Sequence, residues 1–126
     1  MNDLLRALMY IILLIVFLFV ATPSKASDDK VADYLEYGSY AAVLADWAQT
    51  LQIREKDGVY EQNDWLFGKQ PTRRRVNTVM SLEMLSVWYI NRHLPNKSRR
   101  LFNGVFLTTR LYVVNNNLKL GLKVKF

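Results

Sequence analysis

The sequence predicts an all-α protein: an N-terminal transmembrane or signal helix, then a small bundle of three apolar helices, then a short amphipathic, strand-like tail. Three observations carry that expectation. The chain opens on an apolar run, Leu4–Val20, interrupted only by Arg6. Three later apolar stretches of helical length are separated by polar turns, and the last nine residues switch to strict alternation of apolar and polar side chains.

The seventeen residues of the leader would span about 26 Å as a helix, roughly the thickness of a bilayer core. Two readings fit it. With Arg6 as the charged start and Ser24-Lys25-Ala26 as a small-x-small cleavage site, it is a signal peptide. With Asp3 cancelling that charge and the run long for a signal, it is an uncleaved anchor. Residues 1–26 are therefore signal or anchor, and both readings address the chain to a membrane.

Residues 27–38 read as an acidic linker and helix start, with aspartates suited to the positive end of a helix dipole and Gly38 as a kink or stop. Residues 39–117 read as the bundle. Its first helix is Ser39–Ile53. The loop YEQNDWLFGKQPTRRRVN follows, in which Gly68 and Pro71 mark a turn and Thr72 is the expected N-cap of a helix starting at Arg73. The second apolar stretch is Val76–Asn91. A basic turn, RHLPNKSRR, leads to the third, Leu101–Val114, which Asn115–Asn117 is expected to break. Residues 118–126 form the basic tail, with Leu118, Leu120, Leu122, Val124 and Phe126 on one side of a strand and Lys119, Lys123 and Lys125 on the other.

Each of the three later stretches holds one ionisable residue near its midpoint: Asp46, Glu83 and Arg110. A lone charge in an apolar helix is costly unless paired, and one arginine can serve two carboxylates. A polar network is expected in which Asp46 and Glu83 converge on Arg110, with Gln49 and Thr50 on the same face as Asp46. The alternative is that each charge lies on the solvated stripe of an amphipathic helix.

Charge is unevenly distributed. Nine acids face three bases between Asp28 and Asp64, whereas twelve bases face Glu83 alone from Trp65 onward. Such asymmetry implies an anionic partner for the basic half, or complementarity between the halves. With a membrane leader, anionic lipid or lipopolysaccharide headgroups are the expected partners. Their candidate contacts are Trp65 and Phe67 as interfacial aromatics, with Arg73, Arg74, Arg75, Arg99, Arg100, Lys119, Lys123 and Lys125. The run Arg73–Arg75 would sit in a first helical turn, against the dipole, which suggests a role outside the helix.

Cysteine is absent and His93 is the sole histidine, so thiol chemistry, acylation and a zinc or nucleophile–histidine site lack their residues. Neither enzyme activity, a cofactor, a metal nor a small-molecule substrate is expected.

One resemblance can be stated. Asp46-x-x-Gln49-Thr50 is followed by Tyr60-Glu61-x-Asn63-x-x-Leu66-Phe67-Gly68-x-x-Pro71 and Val76-Asn77. The chain closes on Val113-Val114-x-Asn116-Asn117-x-x-x-Gly121-Leu122-x-Val124-x-Phe126. Over Ala41–Phe126 this ordered set resembles a group of small membrane proteins encoded by bacterial viruses and prophages. The chain departs from that group at Asp64, where proline is common, and in its apolar leader. The group implies no established activity, but in size and layout this basic, cysteine-free, leader-bearing chain is similar to viral lysis accessories. The expectation is therefore a protein of the host cell membrane or periplasmic envelope that assists host cell lysis by destabilising the envelope, with other lysis proteins as candidate partners. A structural protein of an internal virion membrane, whose basic half would face nucleic acid, is one alternative. A bacterial inner-membrane scaffold protein is another.

Overall fold

The structure is a computed structural model that describes residues 28–61 and 64–125; the leader lies outside the described residues. The fold is all-α, and no strand occurs among the described residues. Helix α1 is Lys30–Thr50, followed by a 3-10 turn at Ile53–Glu55 and a single helical turn, α2, at Asp64–Phe67. Helix α3 is Arg73–His93 and α4 is Asn96–Lys119.

The side-chain contacts give the topology. Trp47 near the end of α1 donates to Asn77 near the start of α3 (2.9 Å), while Arg92 near the end of α3 approaches Glu36 near the start of α1 (3.7 Å). The two helices are antiparallel. Arg99 near the start of α4 meets Asp33 and Glu36, and Gln49 meets the Val114 carbonyl, so α4 runs parallel to α1. The three long helices form an up-down-up bundle. Its apolar core is Val43, Phe67, Val76 and Met80, flanked by Trp47, Leu66 and Phe106.

Helix α1 starts at the cap Asp29, whose side chain accepts from the Ala32 amide (3.1 Å). It continues through Gly38 without the expected break. The glycine serves a different purpose: a Cβ there would lie 3.1 Å from Leu107 Cδ2, so its bare backbone admits α4. Residues expected to be linker therefore belong to the packed helix.

Thr72 caps α3 by accepting from the Arg75 amide (3.2 Å). Removing that oxygen in Thr72→Ala is expected to cost about 1 kcal/mol, read as a lowered urea midpoint with unchanged slope.

The strand-like tail is corrected. Helix α4 runs through Asn115–Asn117 to Lys119 and ends in a Schellman motif, in which Gly121 (φ 76°) donates to the Leu118 carbonyl and Leu122 to that of Asn117. The alternation fails to produce a strand because, among the described residues of the tail, only Leu122 finds a core, a small cluster with Ile53 and Val59. Leu118, Leu120 and Val124 stay exposed. The side chain of Gln52 satisfies both the amide and the carbonyl of Lys123, in place of a strand partner.

No helix among the described residues is long and apolar enough to cross a membrane. Helices α3 and α4 have the length for it, but basic and amide side chains recur along both.

Candidate functional site

The bundle interior is unusually polar. Glu36, Ser39, Asp46, Gln49, Asn91, Arg99 and Asn103 are all buried. All of them except Ser39 and Gln49 fall into three tiers along the helices.

At the first tier, Arg110 of α4 donates through Nη1 to Asp46 Oδ2 of α1 (2.5 Å) and through Nη2 to Glu83 Oε1 of α3. One guanidinium thus holds all three helices. The other Asp46 oxygen accepts from Asn117 Nδ2 (3.0 Å) and, at 3.5 Å, from the Thr50 hydroxyl. Burial pushes the Asp46 carboxyl above its ordinary pKa, against the pull of Arg110, Thr50 and Asn117. Gln49 is not part of this tier. Its amide nitrogen donates to the carbonyls of Val114 and Leu122, pinning the end of α4 and the tail, and its buried Oε1 has no partner among the described residues.

A second tier is the amide pair Asn91–Asn103. Each donates to the other, at 3.3 and 2.5 Å, and each also donates to the carbonyl one turn back in its own helix. The pair fixes the register of the α3–α4 hairpin.

The third tier joins the start of α1 to the α3–α4 turn. Arg99 Nη2 donates to Glu36 Oε2 (2.7 Å) and Asp33 Oδ1 (2.9 Å), and Arg100 grips Asp29 through Nε and Nη2. Burial alone would lower the Arg99 pKa, but the hydrogen bonds and charges of Asp33 and Glu36 outweigh it and raise it. The Arg100 hydrogen bonds hold the Asp29 carboxyl below the usual carboxylate range, helped by the Ala32 amide. Tyr40 donates to Glu36 (2.8 Å), and burial with that acceptor raises its phenol above the ordinary value.

These contacts correct two assignments to a membrane boundary. Phe67 is in the apolar core, because the turn α2 folds its ring onto Val76 and Met80. Arg99 is buried between two carboxylates and has no face left for an anionic surface. Arg100 is half exposed but already paired bidentately with Asp29.

The run Arg73–Arg75 is divided. Arg73 pairs with Glu55 at the surface (3.2 Å), and Arg75 Nε donates to the Leu66 carbonyl (2.7 Å), so both tie the loop to α3. Arg74, Lys119, Lys123 and Lys125 are exposed, and Trp65 is partly buried.

Asp29, Asp33, Glu36, Asn91, Asn103 and Asn117 were not singled out by sequence. The first three had a usable signal: spacings of four and three place them on one helical face.

Beside Arg110 the helices and the loop enclose a cavity of about 250 Å³. Asp46, Thr50, Glu61, Glu83, Arg110 and Asn117 form its polar side; Val79, Val113 and Leu122 contribute to its apolar side, and Tyr60 and Phe67 add rings. No family model, curated protein or solved structure matches this chain.

Proposed function

We propose that this is an envelope-targeted, virus- or prophage-encoded protein that assists host cell lysis by destabilising the bacterial envelope without cleaving bonds. The observation behind this reading is a mixed distribution of side chains. Ion pairs and amides are buried beside the apolar core, while large apolar residues face outward on every long helix. Tyr34 and Tyr37 on α1, Leu82, Leu85 and Trp88 on α3, and Leu101, Val105 and Tyr112 on α4 are examples, with Tyr34 72% and Leu101 70% exposed. A domain meant only for water exposes most of the first kind and few of the second.

A membrane surface would cover such a bundle. The helices lack the apolar length to span, so they would lie at the headgroup level with Arg74, Lys119, Lys123 and Lys125 toward anionic lipid. The apolar leader supports the same location.

The test is expression of the full chain alone in a Gram-negative host. Inner-membrane depolarisation, outer-membrane leakage and turbidity are followed separately. Outer-membrane failure confined to the onset of lysis is expected. Immediate depolarisation would indicate a pore instead. Absence of leakage, with recovery of the protein in purified virions, would move it to an internal virion membrane.

A further inference from the structure

We propose that the cavity beside Arg110 binds an organic ammonium group carrying a short apolar arm. This does not rest on the lysis reading, since it follows from the cavity alone.

Charge comes first. Asp46 and Glu83 face the cavity with a single cation between them, Arg110, so the polar side is net negative. The lining charge disfavours an anion, and Arg110 already directs Nη1 at Asp46 and Nη2 at Glu83. A cation does find an acceptor. Both oxygens of Asp46 are taken by protein donors, but Glu83 engages Arg110 through Oε1 only. Its other oxygen has no donor among the described residues and is the natural seat for an N–H group.

The rest of the lining selects an organic cation over a metal ion. No group of three His, Cys, Asp or Glu side chains suited to a metal occurs among the described residues. Two rings, Tyr60 and Phe67, line the cavity, and aromatic faces attract ammonium groups. Val79, Val113 and Leu122 offer apolar wall to a hydrocarbon arm. Tyr60 is exposed, so its ring stands where the cavity meets solvent. An amine-bearing lipid headgroup and a free short-chain amine share this chemistry.

The probe is butylammonium chloride, titrated into the full-length chain in non-ionic detergent, with thermal unfolding as the readout and sodium chloride at equal ionic strength as control. A saturable rise in Tm above the control is expected. Glu83→Gln is expected to weaken binding roughly 10-fold or more. Tyr60→Ala, which alters only an exposed ring, is expected to weaken it roughly 3-fold with the fold retained by circular dichroism. It keeps the test decisive if Glu83→Gln fails to fold. No rise above the salt control overturns the proposal, as does an unchanged titration in Tyr60→Ala and in folded Glu83→Gln. Displacement of butylammonium by vesicles containing phosphatidylethanolamine, and not by phosphatidylglycerol alone, assigns the ammonium to a lipid headgroup. Binding untouched by either vesicle assigns it to a free amine.

Discussion

Arg110→Met is expected to destabilise the bundle by about 3 kcal/mol or more, seen as a fall in Tm of roughly 10–20 °C. The substitution keeps most of the volume of the arginine stem, so packing loss is small. What it removes is the cation shared by a buried Asp46 and a largely buried Glu83. Two carboxylates then face the same space without compensation. Asn117 and Thr50 still hydrogen-bond Asp46, which limits the loss but cannot supply charge. Coupling distinguishes this account from simple truncation. Adding Asp46→Leu or Glu83→Leu to Arg110→Met should recover part of the loss, because each removes a stranded charge. Strictly additive losses in the two double variants would show that the three groups act independently. Chemical denaturation of the full chain in detergent, with matched slopes, is the appropriate measurement.

The Arg110 tier was legible in sequence for the same physical reason that makes it costly to break. An ionisable group at the centre of an apolar run demands a partner, and Asp46, Glu83 and Arg110 were the three such groups available. The start of α3 was legible too, since Thr72 after Pro71 is a local signal that needs no tertiary information. The end of α4 was not. Asn115–Asn117 favours a break on propensity, and the alternation after it favours a strand, yet both lose to tertiary context. Asn117 has a partner in Asp46, and Gly121 in a left-handed conformation closes the helix where the alternation would have started. Gly121 was the signal that could have corrected the tail, because glycine just past an apolar helix is the commonest C-terminal stop.

The charge asymmetry left two causes open in sequence, an anionic partner for the basic half or complementarity between the halves. Of the basic residues after Trp65, Arg73, Arg92, Arg99, Arg100 and Arg110 are paired with acids of α1, the following turn or α3. Complementarity between the halves therefore absorbs much of the basic excess. What remains without an acid partner among the described residues is Lys69, Arg74, Arg75, Lys97 and the lysines at and beyond the end of α4. All of these except Lys97 lie toward one end of the bundle, since α4 finishes beside the end of α1 and α3 starts there. Sequence could not show this, because RHLPNKSRR looks like a surface turn until α4 is known to return alongside α1.

The opposite end carries the second large effect. Arg99→Met is expected to cost about 3 kcal/mol, because Glu36 is almost wholly buried and Arg99 is its closest cation. Arg92 at 3.7 Å and the Tyr40 hydroxyl remain near Glu36, so the loss should stay short of complete unfolding. Glu36→Gln in the same background should restore part of it, by leaving an uncharged acceptor for Tyr40. Acid should act on this end differently from the Arg110 tier. The Asp29 carboxyl is held below its ordinary pKa, so its contribution is present above about pH 4 and is lost as pH falls toward the depressed value. Asp46 is shifted the other way. The folded state holds its proton more tightly than the unfolded chain does, so acidification through the raised value toward pH ~4 favours the fold at that site. Amide hydrogen exchange between about pH 6 and pH 3 should therefore show protection lost first around Asp29–Asp33 and the Arg99–Arg100 turn, after correction for intrinsic rates. Protection around Asp46 and Asn117 should outlast it. Simultaneous loss at both ends would mean that the bundle opens as a single unit, with no separate role for the Asp29–Arg100 clasp.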